Sequence, residues 1–163
     1  MRNEPASPRN AKFSRLVQPS PCTHTDIPGM LLQLKQKLAF EKTFAIEWGD
    51  MDALGHVNNG RYFDYFQQAR IDWMQQMNLN LTSEQGPVLV QIGCTFLKPV
   101  VYPATLRLTT CLHSPGRSSF KIDHEIFQGE QLMAQGESKL VWVDYKRNQS
   151  VPLPSVIREL FAE

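Results

Sequence analysis

A long stretch of aromatic and apolar residues at helical spacing constrains the fold of this chain more than any other sequence feature. Between residues 59 and 77, large apolar side chains recur every three or four positions, at Tyr62, Phe66, Ala69, Trp73 and Met77. Phe63 and Tyr65 widen the apolar face, so the pattern predicts a helix of about five turns. Because so many aromatic side chains must be covered, we expect this helix to lie buried against a sheet.

Two-residue periodicity on both sides of the helix predicts the strands of that sheet. Ahead of the helix, even-numbered positions carry Phe40, Phe44, Ile46 and Trp48, which is strand alternation. After the helix, strands are predicted over residues 88–96, 104–112, 118–127 and 132–143, and a short amphipathic helix follows Pro154. This order predicts an α+β domain whose antiparallel sheet wraps around one long central helix.

The first 30 residues differ in composition from the rest of the chain. They contain five of the eleven prolines and few large apolar side chains, too few to offset the entropy of ordering them. We therefore predict a disordered extension over residues 1–30 and a single domain over residues 31–163. The basic residues of this segment also fit a transit peptide, but its prolines argue against the amphipathic helix such a peptide needs.

Charge and cysteine content exclude several classes of function. A formal net charge of +1 gives no overall attraction to nucleic acid or anionic membranes. No apolar run approaches the roughly 20 residues of a membrane span. The three cysteines, Cys22, Cys94 and Cys111, lack CxxC spacing, which argues against a disulfide framework and a zinc site. We expect Cys94 and Cys111 to be buried and reduced, which predicts a cytoplasmic location.

The segment from Trp48 to Tyr62 carries the residues that indicate chemistry. Two carboxylates, Asp50 and Asp52, and the imidazole of His56 lie in a loop ahead of the predicted helix. The first amides of a helix lack intrahelical partners and the dipole is positive there, so this end can stabilise an oxyanion. A nearby carboxylate can act as nucleophile or as general base toward water. The residues alone indicate an acyl-transfer site with no metal and no other cofactor.

A thirteen-residue motif in this segment resembles a known family. The run D-x-D-x-x-G-H-V-N-N-x-x-Y begins at Asp50, and Phe-x-x-Ala-Arg follows over residues 66–70. Together they resemble the hotdog acyl-CoA thioesterases of the 4-hydroxybenzoyl-CoA thioesterase type, with the greatest likeness to the bacterial branch acting on fatty and other acyl-CoAs. The resemblance covers residues 40–143. It implies a hotdog fold and hydrolysis of an acyl-CoA thioester to a free carboxylic acid and CoA.

The resemblance also implies roles for individual residues. The second aspartate, Asp52, is the implied catalytic carboxylate, and the backbone amide of Asn59 polarises the thioester carbonyl. His56 and Asn58 support the loop. Contacts to the nucleotide part of CoA are implied at Arg117, Ser118 and Ser119, with Lys98 as a weaker candidate. The family further implies a homodimer or homotetramer with the active site at the subunit interface.

At two places the sequence departs from the family pattern, and these departures argue against one substrate and one mechanism. The benzoyl-type branch carries Pro-Ala-Gly-Ile after its aspartate, whereas this chain has Ala-Leu-Gly-His over residues 53–56; this argues against a 4-hydroxybenzoyl substrate. A separate hotdog branch uses an acid within the helix. Here Gln67 and Gln68 occupy the middle of the predicted helix, and Asp64 is the only acid in its first turns. That second mechanism is therefore disfavoured.

Several of these residues also have non-catalytic interpretations. Aspartates often form turns with their own backbone, which we favour for Asp50 but not for Asp52. His56 could be a catalytic base or a buried side chain that fixes the loop, and we favour the second. Asn58 or Asn59 is a good helix cap, and Arg117 could be a solvated turn residue. For the whole chain, a non-catalytic acyl-CoA-binding or sensing module is the main alternative, and a hydratase or dehydratase is a third.

Overall fold

The computed structural model of the protein describes residues 37–80 and 82–162. The predicted disordered extension over residues 1–30 lies outside the described residues. The strands are β1 (Lys37–Ala45), β2 (Gln85–Phe96), β3 (Thr105–His113), β4 (Ser119–Gln128), β5 (Gln131–Asp144) and β6 (Gln149–Ser150). The helices are α1 (Asn59–Gln76) and α2 (Ser155–Glu159), and a 3-10 turn spans Trp48–Asp50.

The strands form one antiparallel sheet in the order β1-β3-β4-β5-β2, with β6 paired to β5. Strands β3, β4 and β5 are neighbours because short connections join them. Strands β1 and β2, which precede and follow α1 in the sequence, take the two edges. In the middle of the sheet, His124 of β4 pairs with Thr110 of β3 and with Gly136 of β5.

Helix α1 packs its aromatic face onto the middle of this sheet. Its buried side chains include Tyr62, Phe66, Ala69 and Trp73. The ring of Phe66 lies so close to Gly136 that a Cβ at this glycine would collide with it, and the missing side chain lets helix and sheet approach. The predicted α+β architecture, an antiparallel sheet with one long buried helix, is confirmed.

The first predicted strand is wrong at its C-terminal end. Strand β1 ends at Ala45, and the next amide, of Ile46, donates to the carbonyl of Ala104 (3.0 Å). Trp48 begins the 3-10 turn and is 77% exposed. Ile46 is buried although it lies outside the strand. The alternation of apolar residues in the sequence therefore continues past the last paired residue of β1. The two-residue strand β6 was not predicted because it is too short to show a period.

The expectation of a reduced Cys111 is also wrong. Cys111 is buried and disulfide-bonded, whereas Cys94 carries a free thiol. Disulfide pairing depends on the distance between two thiols in the fold, which spacing along the chain does not show. The cysteine argument for a cytoplasmic location therefore loses its support, and that location stays a prediction. In the described part of the chain, neither helix combines the length and apolar character of a membrane span.

Candidate active site

The carboxylate of Asp50 joins the 3-10 turn to the first turns of α1. Its Oδ2 accepts hydrogen bonds from the amide of Glu47 (2.9 Å) and the hydroxyl of Tyr65 (2.8 Å). Its Oδ1 accepts from Nε of Arg61 (2.7 Å) and lies 2.6 Å from Nη2 of the same guanidinium. Burial alone would raise the pKa of this carboxyl, but the hydrogen bonds from Glu47, Tyr65 and Arg61 hold the pKa below its ordinary value. Asp50 is therefore a buried anion fully engaged in holding structure.

Asp52 follows in a tight loop that its own backbone helps to close. The amide of Asp52 donates to the carbonyl of His56 (2.8 Å), and its carbonyl accepts from the amide of Gly55 (3.1 Å). Gly55 has φ +78°, in the left-handed region that glycine adopts without strain. Oδ1 of Asp52 accepts from the amide of Leu54 (2.8 Å). No hydrogen bond within residues 37–80 and 82–162 uses Oδ2, so this oxygen is available to a reactant.

Asn58 and Asn59 form the start of α1. Asn58 is the N-cap, as the sequence predicted for one of these two residues, because its Oδ1 accepts from the amide of Gly60 (2.8 Å). Asn59 is the first helical residue, and its amide has no intrahelical acceptor. The hydrogen bonds found in the described ranges leave this amide unused. With the positive end of the helix dipole behind it, it can donate to a developing oxyanion.

The loop containing Asp52 is tied to the connection between β2 and β3. Met51 and Val57 form an isolated antiparallel bridge, and the amide of Val57 donates to the carbonyl of Val100 (2.9 Å). Large exposed apolar side chains in the segments that meet here are Trp48, Leu54, Phe96, Leu97, Val101 and Tyr102. The surface around Asp52 is therefore suited to an apolar group.

Four of the predicted site residues, Asp52, His56, Asn58 and Asn59, come together in this loop and the helix start. The imidazole of His56 is exposed, so the expectation of a buried ring that fixes the loop is wrong. The carbonyl of His56 supports the loop instead, through its bond to the amide of Asp52. Exposure leaves the ring free to face solvent or a ligand.

The predicted CoA contacts lie at the other end of the sheet in the same chain. Arg117, Ser118 and Ser119 follow the C-terminal end of β3, whereas the loop containing Asp52 adjoins its N-terminal end. At about 3.3 Å per residue, the nine residues of β3 place about 26 Å between its ends. Arg117 is exposed. One chain by itself therefore does not bring these three residues to Asp52.

Sequence reasoning missed the partners of Asp50. Arg61 and Tyr65 lie four residues apart and so share one face of α1, a signal that was present in the sequence. The sequence could not show that this face of α1 points toward Asp50, because the fold sets the angle at which the chain enters α1. The network of Asp50, Arg61 and Tyr65 is thus a finding of the structure.

Comparisons with known proteins relate the chain to thioesterases. The model of the Thioesterase-like superfamily matches residues 46–161. The PA2801 protein of Pseudomonas aeruginosa, provisionally assigned as a thioesterase, is 37% identical with a TM-score of 0.74, over 77% of this chain and 100% of that one. XC229 of Xanthomonas campestris, provisionally assigned as an acyl-CoA thioesterase, is 28% identical with a TM-score of 0.65, over 72% and 100% of the two chains.

A more distant structure shows the same fold. Slr0204 of Synechocystis, a 1,4-dihydroxy-2-naphthoyl-CoA thioesterase, is 20% identical with a TM-score of 0.70, over 76% of this chain and 96% of that one. At this identity the likeness extends to the fold alone. The family match and the PA2801 structure confirm the predicted hotdog fold. They do not single out the 4-hydroxybenzoyl-CoA type. The chain belongs to the Thioesterase-like superfamily.

Proposed function

We propose that this protein hydrolyses an acyl-CoA thioester to a free carboxylic acid and CoA. The observation that supports the proposal is that, among the described residues, Oδ2 of Asp52 and the amide of Asn59 at the start of α1 are both without a hydrogen-bond partner. Membership of the Thioesterase-like superfamily and 37% identity to PA2801 support the reaction class. The exposed apolar side chains of the segments that meet at the loop suit the acyl group of such a substrate.

The proposed mechanism uses only groups of this chain and water. The amide of Asn59 donates to the thioester oxygen and stabilises the negative charge that develops on it. Oδ2 of Asp52 either attacks the carbonyl carbon, forming a mixed anhydride that water then hydrolyses, or removes a proton from an attacking water. The carbon–sulfur bond breaks in both routes, and the sulfur leaves as the thiolate of CoA. The bond from the Leu54 amide to Oδ1 orients Oδ2.

We further propose that the working unit is a homodimer, alone or within a homotetramer. Strand β2 is a twelve-residue edge strand with exposed Val88, Leu89 and Val90, and an edge of this length pairs readily with another strand. Antiparallel pairing of two β2 strands about a two-fold axis sets the Gln85 end of one copy beside the Phe96 end of the other. Residues 117–119 lie toward the Gln85 end, so a second copy could bring them to Asp52.

The test of the reaction is thiol release by the purified protein and its Asp52→Asn variant. The substrates are acyl-CoAs from acetyl to palmitoyl, with benzoyl-CoA and phenylacetyl-CoA, and protein-only controls correct for cysteine. We expect kcat to fall at least about 100-fold in the variant, the usual scale for losing a catalytic carboxylate, with an unchanged melting temperature. Near-parental turnover would remove Asp52 from the mechanism. Stabilisation by CoA esters without any turnover would instead establish a binding module.

A further inference from the structure

We infer that Asp50 is a positioning residue, which sets the Asp52 carboxylate relative to the Asn59 amide. This inference rests on the proposed function, because it concerns how the two proposed reacting groups are held. Asp50 itself is only 3% exposed, and both of its carboxylate oxygens are engaged. It therefore acts through other residues rather than on a substrate.

The bonds of Asp50 fix both ends of the loop over residues 51–58. On the N-terminal side, its carboxylate accepts from the amide of Glu47 and closes the 3-10 turn. On the C-terminal side, its carbonyl accepts from the amide of Asn58 (2.8 Å), the cap residue of α1. One residue thus anchors the loop that carries Asp52 at its entry and at its exit.

The same carboxylate fixes the direction of α1. It accepts from Arg61 and Tyr65 on successive turns of the helix, so the first two turns are held against the 3-10 turn. We call these bonds of Asp50 to Arg61 and Tyr65 the clamp. The amide of Asn59 is part of this helix end. Its position relative to Asp52 therefore depends on the clamp as well as on the loop.

The clamp depends on the negative charge of Asp50. Arg61 lies in the first turn of α1, where the helix dipole disfavours a cation, and the buried anion of Asp50 offsets that repulsion. In an Asp50→Asn variant the side chain keeps its shape but loses its charge, and the guanidinium loses its buried partner. We expect the first turn to shift, and displacements of about 1 Å at a reacting group can cost on the order of 100-fold in rate.

A matched control lies on the same helix. Asp72 of α1 accepts hydrogen bonds from Lys42 (2.5 Å) and Gln68 (2.6 Å). The bond from Lys42 ties α1 to β1, and the bond from Gln68 lies within the helix. It lies 13 residues after Asn59, about 20 Å along the helix. Replacing Asp72 by Asn removes a comparable carboxylate network without touching the loop, which separates positioning from general stability.

The experiment compares Asp50→Asn, Tyr65→Phe and Asp72→Asn by steady-state kinetics, melting temperature and amide hydrogen exchange. For Asp50→Asn we expect kcat to fall about 10- to 100-fold with little change in KM, and faster exchange at the amides of Asp52 and Asn58. Tyr65→Phe removes a single hydrogen bond and keeps the ion pair. Tyr65→Phe should lower kcat by a smaller factor than Asp50→Asn. It also tests the inference if the Asp50→Asn variant does not fold.

For Asp72→Asn we expect a lower melting temperature with parental kcat and parental exchange in the loop. The inference is overturned if the Asp50 and Tyr65 variants keep parental kcat and loop protection while only their melting temperatures fall. It is also overturned if Asp72→Asn lowers kcat as much as they do. If the parental protein hydrolyses none of the thioesters, the proposed reaction fails by itself, and the exchange rates still decide whether Asp50 holds the loop.

Discussion

His124 lies fully buried between α1 and the sheet, at the centre of the molecule. Its ring stacks on Phe66, with centroids 4.9 Å apart and planes 5° from parallel. Its Nδ1 lies 3.0 Å from the hydroxyl oxygen of Thr110. Burial, together with the nearby positive charge of Arg70, lowers the pKa of His124 to about 3. The imidazole is therefore neutral in the folded protein near pH 7 and acts as a packing group rather than as an acid or base.

This shift predicts how stability depends on pH. The unfolded chain binds a proton at His124 near pH 6.5, whereas the folded protein does so only near pH 3. The contribution of neutral His124 to the free energy of unfolding is therefore complete above pH 6.5 and is lost as pH falls toward 3. The free energy of unfolding should decrease by up to about 1.4 kcal/mol per pH unit below 6.5. Urea unfolding between pH 8 and pH 5 measures the slope.

The control for this prediction is a His124→Gln variant, which cannot titrate in this range. We expect it to be less stable at pH 8 because the stacking on Phe66 is lost, but its stability should vary much less between pH 8 and pH 5. Equal slopes for the parental protein and the variant would show that His124 is not the group responsible.

At the scale of secondary-structure elements, the two edge strands differ in what they expose. Strand β2 has twelve residues and presents Val88, Leu89 and Val90 in succession. The opposite edge, β1, has nine residues, with Leu38 exposed among charged neighbours. Charged side chains protect an edge against pairing, so β2 is the edge that we expect to associate with a second copy.

A lysine on each edge tests this difference. In Val90→Lys, pairing of two β2 strands would bring unpaired charges into the interface, so we expect the dimer to weaken at least tenfold. Leu38→Lys, at the other edge, should leave the association unchanged. Sedimentation velocity over a range of protein concentrations measures both. A Val90→Lys protein that remains as dimeric as Leu38→Lys would place the interface elsewhere.

At the scale of the whole molecule, the proposed reacting groups and the proposed CoA contacts occupy opposite ends of one sheet. Val141 of β5 pairs with both Val88 of β2 and Ser119 of β4. Ser119 therefore lies two strands away from β2, level with the N-terminal end of β2. Asn59 and Asp52 lie near the C-terminal end of β2. We therefore propose that a complete site takes groups from two chains, which is also what the resemblance implies.

Subunit mixing tests this arrangement. Asp52→Asn homodimers should be inactive, and Arg117→Ala homodimers should have a raised KM because a phosphate contact is missing. In a mixed dimer, one of the two sites combines a parental Asp52 with a parental Arg117 from the other chain. Each mixed dimer should therefore have about half of the activity of a parental dimer, at the parental KM. No recovery on mixing would place both groups in one chain, and an unchanged KM for Arg117→Ala would exclude this residue from CoA binding.

The sequence by itself determined the architecture and, along the chain, the position of the loop that holds the candidate site. The aromatic period of residues 62–77 and the alternating stretches after it are local patterns that only a helix and strands can bury, so the α+β class followed directly. The motif between Asp50 and Tyr62 located the loop, and Asn58 was a recognisable cap because capping depends on adjacent residues. These features reflect interactions within a few residues, which a sequence displays.

Tertiary structure decided which groups meet across longer distances. The clamp of Asp50 on Arg61 and Tyr65, the exposure of His56 and the disulfide bond of Cys111 all depend on the relative placement of elements. So does the separation of Arg117 from Asp52 along β3. Local periodicity fixes which face of an element is buried. Packing the elements together decides the angle at which the chain enters α1 and the end of the sheet that a turn reaches.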